Sequence, residues 1–293
     1  MAFHSLEEIQ KSCREKNVLF WRAVLLEDMA DRSVTETESM QSMQQMWTAM
    51  KSASEQYDRT QVSASGLVGK MGAQMEEYRQ SKEPLCGPFV SKVIARALEM
   101  GESNACMKRI VAAPTAGACG VLPAVLVPLY EEERVSEDEV IHALYTAAGI
   151  GQVIASRAFI AGAAGGCQAE IGAASSMAAG ALVYLQGGDC TQIATAAAMA
   201  MKNLLGLVCD PVAGLVEVPC VKRNVIGTVN AMACADMAMA GIVSRIPPDQ
   251  VMDAMKEVGD KMDASLRETA LGGLAQTEEG MKIAEKMHAS YEN

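Results

Sequence analysis

From Ile171 to Gly188 the chain carries no charged side chain and consists largely of alanine, glycine and serine, with Glu170 and Asp189 at its two ends. A helix of this composition has no polar face for water, so it belongs inside protein. Its small side chains contribute little surface themselves, but they let neighbouring helices approach closely. A membrane span is the other reading of a long uncharged run, yet spans are built on larger aliphatic side chains. The run therefore predicts a helix buried in protein.

The remaining composition points the same way. Half of the 293 residues are hydrophobic, but only 4% are aromatic, and methionine occurs 21 times. Small and unbranched side chains suit packed helices, whereas sheets draw on β-branched and aromatic residues. Strand-like alternation is weak throughout, and no repeat or flexible linker is visible. The expectation is an all-α fold: one compact helical domain over residues 1–293, with N-terminal helices in about 1–60 and a glycine-rich core over about 110–246. An α/β fold is the main alternative.

Local signals place several elements. Ser5-Leu6-Glu7-Glu8 has the form of a capping box and opens a helix expected to run to about Ala30, with Ile9, Val18, Leu19, Ala23 and Leu26 at helical spacing. A second helix is expected from about Thr35 to Tyr57, with Met40, Met43, Met46, Trp47 and Met50 as a core stripe. Three glycines between Ser63 and Gly72 mark a loop, and Pro84 to Pro88 marks another break before a helix over Phe89 to Met100. Ser136-Glu137-Asp138-Glu139 is a further capping box, opening a helix through Val140, Leu144, Ala147 and Ile150. Gly187-Gly188-Asp189 ends one helix and caps the next, over Thr191 to about Leu205. Pro247-Pro248-Asp249 starts a last helix with Val251, Met255, Val258 and Met262 inward.

A net charge of −11 argues against nucleic acid as a partner, since phosphate binding needs clustered lysine and arginine. Met1 to Gln10 lacks the apolar segment of a secretory leader, which predicts a cytoplasmic protein with reduced thiols. Nine cysteines then suggest metal or catalysis rather than disulfides. Three of them sit among glycines and prolines: Cys167 in GGCQAE, Cys209 in GLVCDPVAG and Cys220 in EVPC. Their wide separation is unlike compact zinc or ferredoxin motifs. Three soft ligands without a fourth would suit a [4Fe–4S] cluster with one open iron, although by spacing alone buried structural cysteine is the default. Cys119 lies in the APTAGACG turn and is a candidate neighbour of a site; Cys13, Cys86, Cys106, Cys190 and Cys234 read as small packing residues.

Longer motifs go further. GGCQAEIGAASSMAAGALVYLQGG, LGLVCDPVAGLVEVPCVKRN and AAPTAGACGVLPAVL resemble the α-subunit of iron–sulfur L-serine dehydratases, with similarity from about Ser63 to Gly280. That resemblance implies an all-helical catalytic subunit in which Cys167, Cys209 and Cys220 hold a [4Fe–4S] cluster. It implies L-serine as substrate, pyruvate and ammonia as products, and a separate β-subunit as partner. Some single-chain relatives end in a cysteine that occupies the open iron, whereas this chain ends Tyr291-Glu292-Asn293. The expectation is therefore a fourth iron that is open or held by a small molecule, with the β-type domain and its Ser-His-Thr segment on another polypeptide.

In such a reaction the open iron accepts charge from the departing hydroxide, and a base removes the α-proton. Lys70, in SASGLVGKMG, is the local candidate base, and a β-subunit histidine is what the resemblance implies. His4 and His288 lie near the termini and His142 lies early in a helix. Ser65 and Gly66, and the turn of Thr115, Ala116 and Gly117, offer hydroxyls and backbone N–H groups suited to a substrate carboxylate. Glu170 and Asp210 could face its ammonium or cap helices. Three other readings remain open on sequence: a pyridoxal-phosphate enzyme, a non-catalytic iron–sulfur protein, and a related lyase acting on another β-substituted amino acid.

Overall fold

The computed structural model describes residues 3–291, and among them no strand is present. A pair of short helices comes first: α1 (Leu6–Lys16) and α2 (Phe20–Arg32). They are not the single helix expected, because Asn17 adopts the left-handed conformation (φ 51°) and ends α1. Asparagine tolerates that conformation, and apolar spacing alone does not register the break. Ser5 caps α1 by accepting from Glu8 N at 3.0 Å, while the Glu8 carboxylate accepts from His4 N at 2.7 Å, one residue earlier than a full capping box requires.

After α3 (Glu36–Glu55), residues 56–70 form a loop that leads into α4 (Met71–Ser81) and α5 (Gly87–Ala105). The loop therefore stops at Lys70, and α5 is longer at both ends than its expected span. Then come α6 (Val121–Glu131), α7 (Glu137–Arg157), the single turn α8 (Gly162–Gly165), a π-helical turn over Gln168–Gly172, and α9 (Ala173–Leu185). The chain continues through α10 (Cys190–Lys202), α11 (Cys220–Met239), α12 (Pro248–Lys261) and α13 (Glu278–Tyr291), so α12 is not the last helix. Full capping boxes open three of these helices, with Thr35 and Glu38 at α3, Ser136 and Glu139 at α7, and Asp189 and Gln192 at α10.

Every residue from Ala173 to Val183 is buried, and α6, α7, α10 and α11 all pack on α9. The uncharged run is thus the central helix. Its small residues set the spacing: a Cβ on Gly180 would stand 2.2 Å from Ile150 Cδ1 of α7. Around it one hydrophobic core runs from Phe3 to Met255, with Trp47 and Met50 of the α3 stripe fully inside and Met46 of that stripe 47% exposed. On α12, Val251, Met252 and Met255 are buried, while Val258 and Met262 are only half-buried. Among the described residues no helix is long and apolar enough to cross a membrane.

Candidate metal centre and active site

Five segments, distant in sequence, meet at one end of α9. The π turn is the first: Cys167 precedes it and Glu170 lies within it, so an inserted residue in the helical ladder brings both side chains to one side. The loop after α10 carries Cys209, whose backbone pairs with a late segment: Cys209 N donates to Leu266 O at 2.8 Å and Glu268 N donates to Cys209 O at 2.7 Å. Cys220 is the first residue of α11, and Cys167 likewise stands at a helix start, so two of the three cysteines expected in turns open helices instead.

The donors converge. Ligand atoms of Cys167, Glu170 and Cys209 all lie within 4.8 Å of one another. Gly162 of α8 forms the floor beneath them, where an added Cβ would come 3.0 Å from Cys209 Sγ, 3.0 Å from Glu170 Oε2 and 3.3 Å from Glu268 Oε2. Cys220 is buried, and its sulfur stands outside that 4.8 Å group but near enough for charge on Cys167 to act on it.

Arg223, one turn into α11, ties three of these segments together. Its Nη1 donates to Cys167 Sγ at 3.3 Å and to Val208 O at 2.7 Å, and its Nη2 donates to Asp210 Oδ1 at 2.8 Å. Asp210 Oδ2 in turn accepts from Leu274 N at 2.8 Å, closing residues 264–277 over the Cys209 loop. The next residue, Asn224, accepts from Gly120 N (2.9 Å) and donates to Gly117 O (2.9 Å) and Cys220 O (3.1 Å). It thereby fixes the Thr115–Gly117 turn against the Cys220 end of α11.

Electrostatics divides the thiols. A hydrogen bond with Cys209 holds the Cys167 thiol below its ordinary value, and the Arg223 charge acts in the same direction against burial. Cys209 is pushed upward by that shared hydrogen bond and by burial, so the two thiols are driven in opposite directions. Burial, with the Cys167 charge behind it, raises Cys220 to about 12. Burial also raises the Glu170 carboxyl; the Thr115 hydroxyl opposes this and the neighbouring Glu268 reinforces it. Thr115 Oγ1 is enclosed and closes no hydrogen bond of good geometry, although it lies against that carboxylate.

The other candidates lie further out. Ser65 is not free, because its hydroxyl and that of Ser63 both donate to the buried Glu217 carboxylate, which anchors the glycine-rich loop to the chain entering α11. A Cβ on Gly66 would meet nothing within 4 Å, so that edge of the loop faces open space. Lys70 is exposed at the head of α4, in the left-handed conformation (φ 62°). The Thr115–Gly117 turn faces Glu170, with a Cβ on Gly117 reaching 3.0 Å from Glu170 Oε2. His142 is structural: it stacks on Trp21 at 3.6 Å and bonds the Tyr184 hydroxyl at 3.1 Å. Only the backbone of His4 is engaged, and the side chain of His288 and residues 292–293 are outside the described residues.

Cys119 is fully buried and bonds Met100 O at 3.6 Å, and burial raises its thiol to about 12. Cys234 is buried as expected, but Cys86 is exposed and Cys106 is only half-buried, so neither is a core-packing residue. Sequence reasoning missed Arg223 and Asn224, although both stand in the PCVKRN motif one helical turn beyond Cys220. It also missed Glu217 and Glu268, for which no local signal exists.

A family model described as the serine dehydratase alpha chain matches residues 11–275. The chain belongs to that family. A probable L-serine dehydratase alpha chain of Bacillus subtilis is 43% identical over 97% of this chain and 95% of its own length. The L-serine dehydratase alpha chain of Peptoniphilus asaccharolyticus is 42% identical, covering 96% of each chain. L-serine dehydratase TdcG of Escherichia coli is 36% identical over 93% of this chain, which spans only 61% of that longer relative. All the segments that form the centre fall inside the serine dehydratase alpha-chain match, from the Thr115 turn to Leu274.

Proposed function

We propose that this chain is the catalytic α-subunit of an L-serine dehydratase, eliminating water from L-serine to give pyruvate and ammonia. Cys167, Cys209 and Cys220 would hold a [4Fe–4S] cluster, and a separate β-subunit would complete the site in the cytoplasm. The observation that carries this reading is the convergence of buried cysteines under Arg223 in a chain of this family.

The donor set fits such a group. Soft thiolates are the preferred ligands of iron–sulfur clusters, and a positive charge beside a sulfur favours the thiolate. Two carboxylates on the same wall, Glu170 and Glu268, make the enclosure anionic, which a cationic metal centre compensates. When bound, the cluster supplies a Lewis acid at the one iron without a cysteine, to accept charge from the departing hydroxide.

The chain's own residues position the reaction. Arg223 donates to Cys167, adding to the pull of Cys209 toward the thiolate, and locks the Cys209 loop to α11. Asn224 fixes the turn of Thr115, Ala116 and Gly117, whose unpartnered hydroxyl is available to a substrate polar group. Ser65 and Gly66 line the outer edge of the site, where the β-subunit would close it over the open side of Gly66. The base that removes the α-proton comes from that subunit, with exposed Lys70 as the local alternative.

The test is turnover. The chain is purified without oxygen together with a serine dehydratase β-subunit, and pyruvate formation from L-serine is measured before and after iron chelation. Pyruvate formation abolished by the chelator and insensitive to a carbonyl reagent supports the proposal. Turnover by an iron-free preparation, or none by an iron-loaded pair, contradicts it.

A further inference from the structure

Glu170 is a carboxylate with an unusual set of neighbours. One of its oxygens lies within 4.8 Å of both Cys167 Sγ and Cys209 Sγ. Glycines close in on it from two sides, since a Cβ on either Gly117 or Gly162 would approach Oε2 to 3.0 Å. Among the described residues no lysine or arginine forms an ion pair with it. The Arg223 guanidinium beside Cys167 spends its donors on Cys167, Val208 and Asp210. The second carboxylate on the wall, Glu268, adds repulsion rather than relief.

A mostly buried carboxyl held between thiols, without a cation, is neutralised either by a proton or by a positive centre that binds it. The Thr115 hydroxyl alongside gives only partial relief, since it closes no bond of good geometry and the carboxyl is still raised. The backbone supplies the reach: Cys167 and Glu170 are three residues apart across the π turn, so a centre held by the sulfur is within range of the carboxylate. Oxygen donors from carboxylates bind iron readily beside softer ligands.

We propose that Glu170 is the protein's own oxygen donor to the iron that Cys167, Cys209 and Cys220 leave without a thiolate, holding it until substrate takes its place. This rests on the assignment of those three cysteines as cluster ligands. The exchange replaces one oxygen donor by another, with no electron transferred. It gives the chain an internal means of protecting its labile iron.

The experiment is Mössbauer spectroscopy of the iron-57-loaded, anaerobic complex with its partner subunit, with and without L-serine. Glu170→Gln should change the spectrum of the one distinct iron in the resting state and leave the three thiolate-bound irons as they are. Glu268→Gln removes the same charge from the same wall and should leave the distinct iron unchanged. On exposure to air, Glu170→Gln should also lose that iron several-fold faster than the wild type. A resting spectrum of Glu170→Gln identical to that of the wild type overturns the proposal.

Where Glu170→Gln retains no cluster, the wild type labelled with carboxyl-carbon-13 glutamate decides instead. Electron–nuclear double resonance on the reduced cluster should show a carbon-13 coupling that disappears with L-serine, and its absence overturns the proposal. Iron retained in full by Cys209→Ser would sink the cysteine assignment itself, whereas cysteine-bound iron with no carboxylate signature sinks only the role of Glu170.

Discussion

The Arg223 guanidinium donates to the Cys167 sulfur at 3.3 Å from one turn inside α11. A single buried side chain thus favours the thiolate of one proposed ligand, alongside the Cys209 hydrogen bond, and holds the loop that carries a second.

Arg223→Met should be among the most damaging changes outside the cysteines. It leaves Asp210, paired at 2.8 Å and almost fully buried, without its cation. Removing one partner of a buried pair costs about 3–5 kcal/mol. Iron per chain and melting temperature should both fall, and Arg223→Lys should recover part of the stability without the fork that reaches Cys167 and Asp210 together. Unchanged iron content in Arg223→Met would remove this residue from the centre.

Glu217→Ala tests the anchoring of the glycine-rich loop. The carboxylate accepts from Ser63 Oγ at 2.9 Å and also from Ser65 Oγ. Its loss leaves two hydroxyls without their acceptor, at about 1–3 kcal/mol. Limited proteolysis should cut residues 63–70 faster than in the wild type, and equal protection would show that the loop is held by other contacts.

Glu99 gives the chain a pH dependence that is independent of the centre. Burial raises its carboxyl to about 7; Glu76, Glu131 and Glu102 add to the rise and Arg96 opposes it. Between the ordinary carboxyl value and about 7 the folded state binds more protons than the unfolded chain, so stability falls as pH rises through that window. Glu99→Gln removes the titration. In denaturant unfolding it should gain over the wild type at pH 8, by up to about 3 kcal/mol, and lose most of that advantage by pH 5. The same difference at both pH values would contradict the assignment.

Much of this architecture was readable before any coordinates. The uncharged run announced α9 as a buried helix, the Ser136–Glu139 box marked the start of α7, and Asp189 was legible as the cap of α10. The break at Asn17 was hidden because apolar spacing runs through it and only the backbone conformation of one residue interrupts the helix. The three cysteines stood out by their glycine and proline neighbours. Arg223 and Asn224 become visible only once α11 is known to begin at Cys220. Glu268 reaches the centre through the pairing of residues 266–268 with Cys209, a contact with no periodicity to betray it.

Gly180→Ala tests the spacing of the central helix. The added methyl would stand 2.2 Å from Ile150 Cδ1, in a fully buried contact. Overpacking of this kind costs about 1–3 kcal/mol. Because the obstructing atom is the end of one side chain, Ile150→Val in the same chain should return part of the loss. Additive destabilisation by the two changes would place the strain elsewhere.

The central claim is that Cys167, Cys209 and Cys220 hold an iron–sulfur cluster. The direct measurement is iron and acid-labile sulfide per chain after oxygen-free purification, in the wild type and with serine at each of these positions, with Cys234→Ser as the control. The account predicts about four of each in the wild type and in Cys234→Ser, with a severe loss in all three ligand variants. Full iron and sulfide in Cys209→Ser, or none in the wild type, would contradict it.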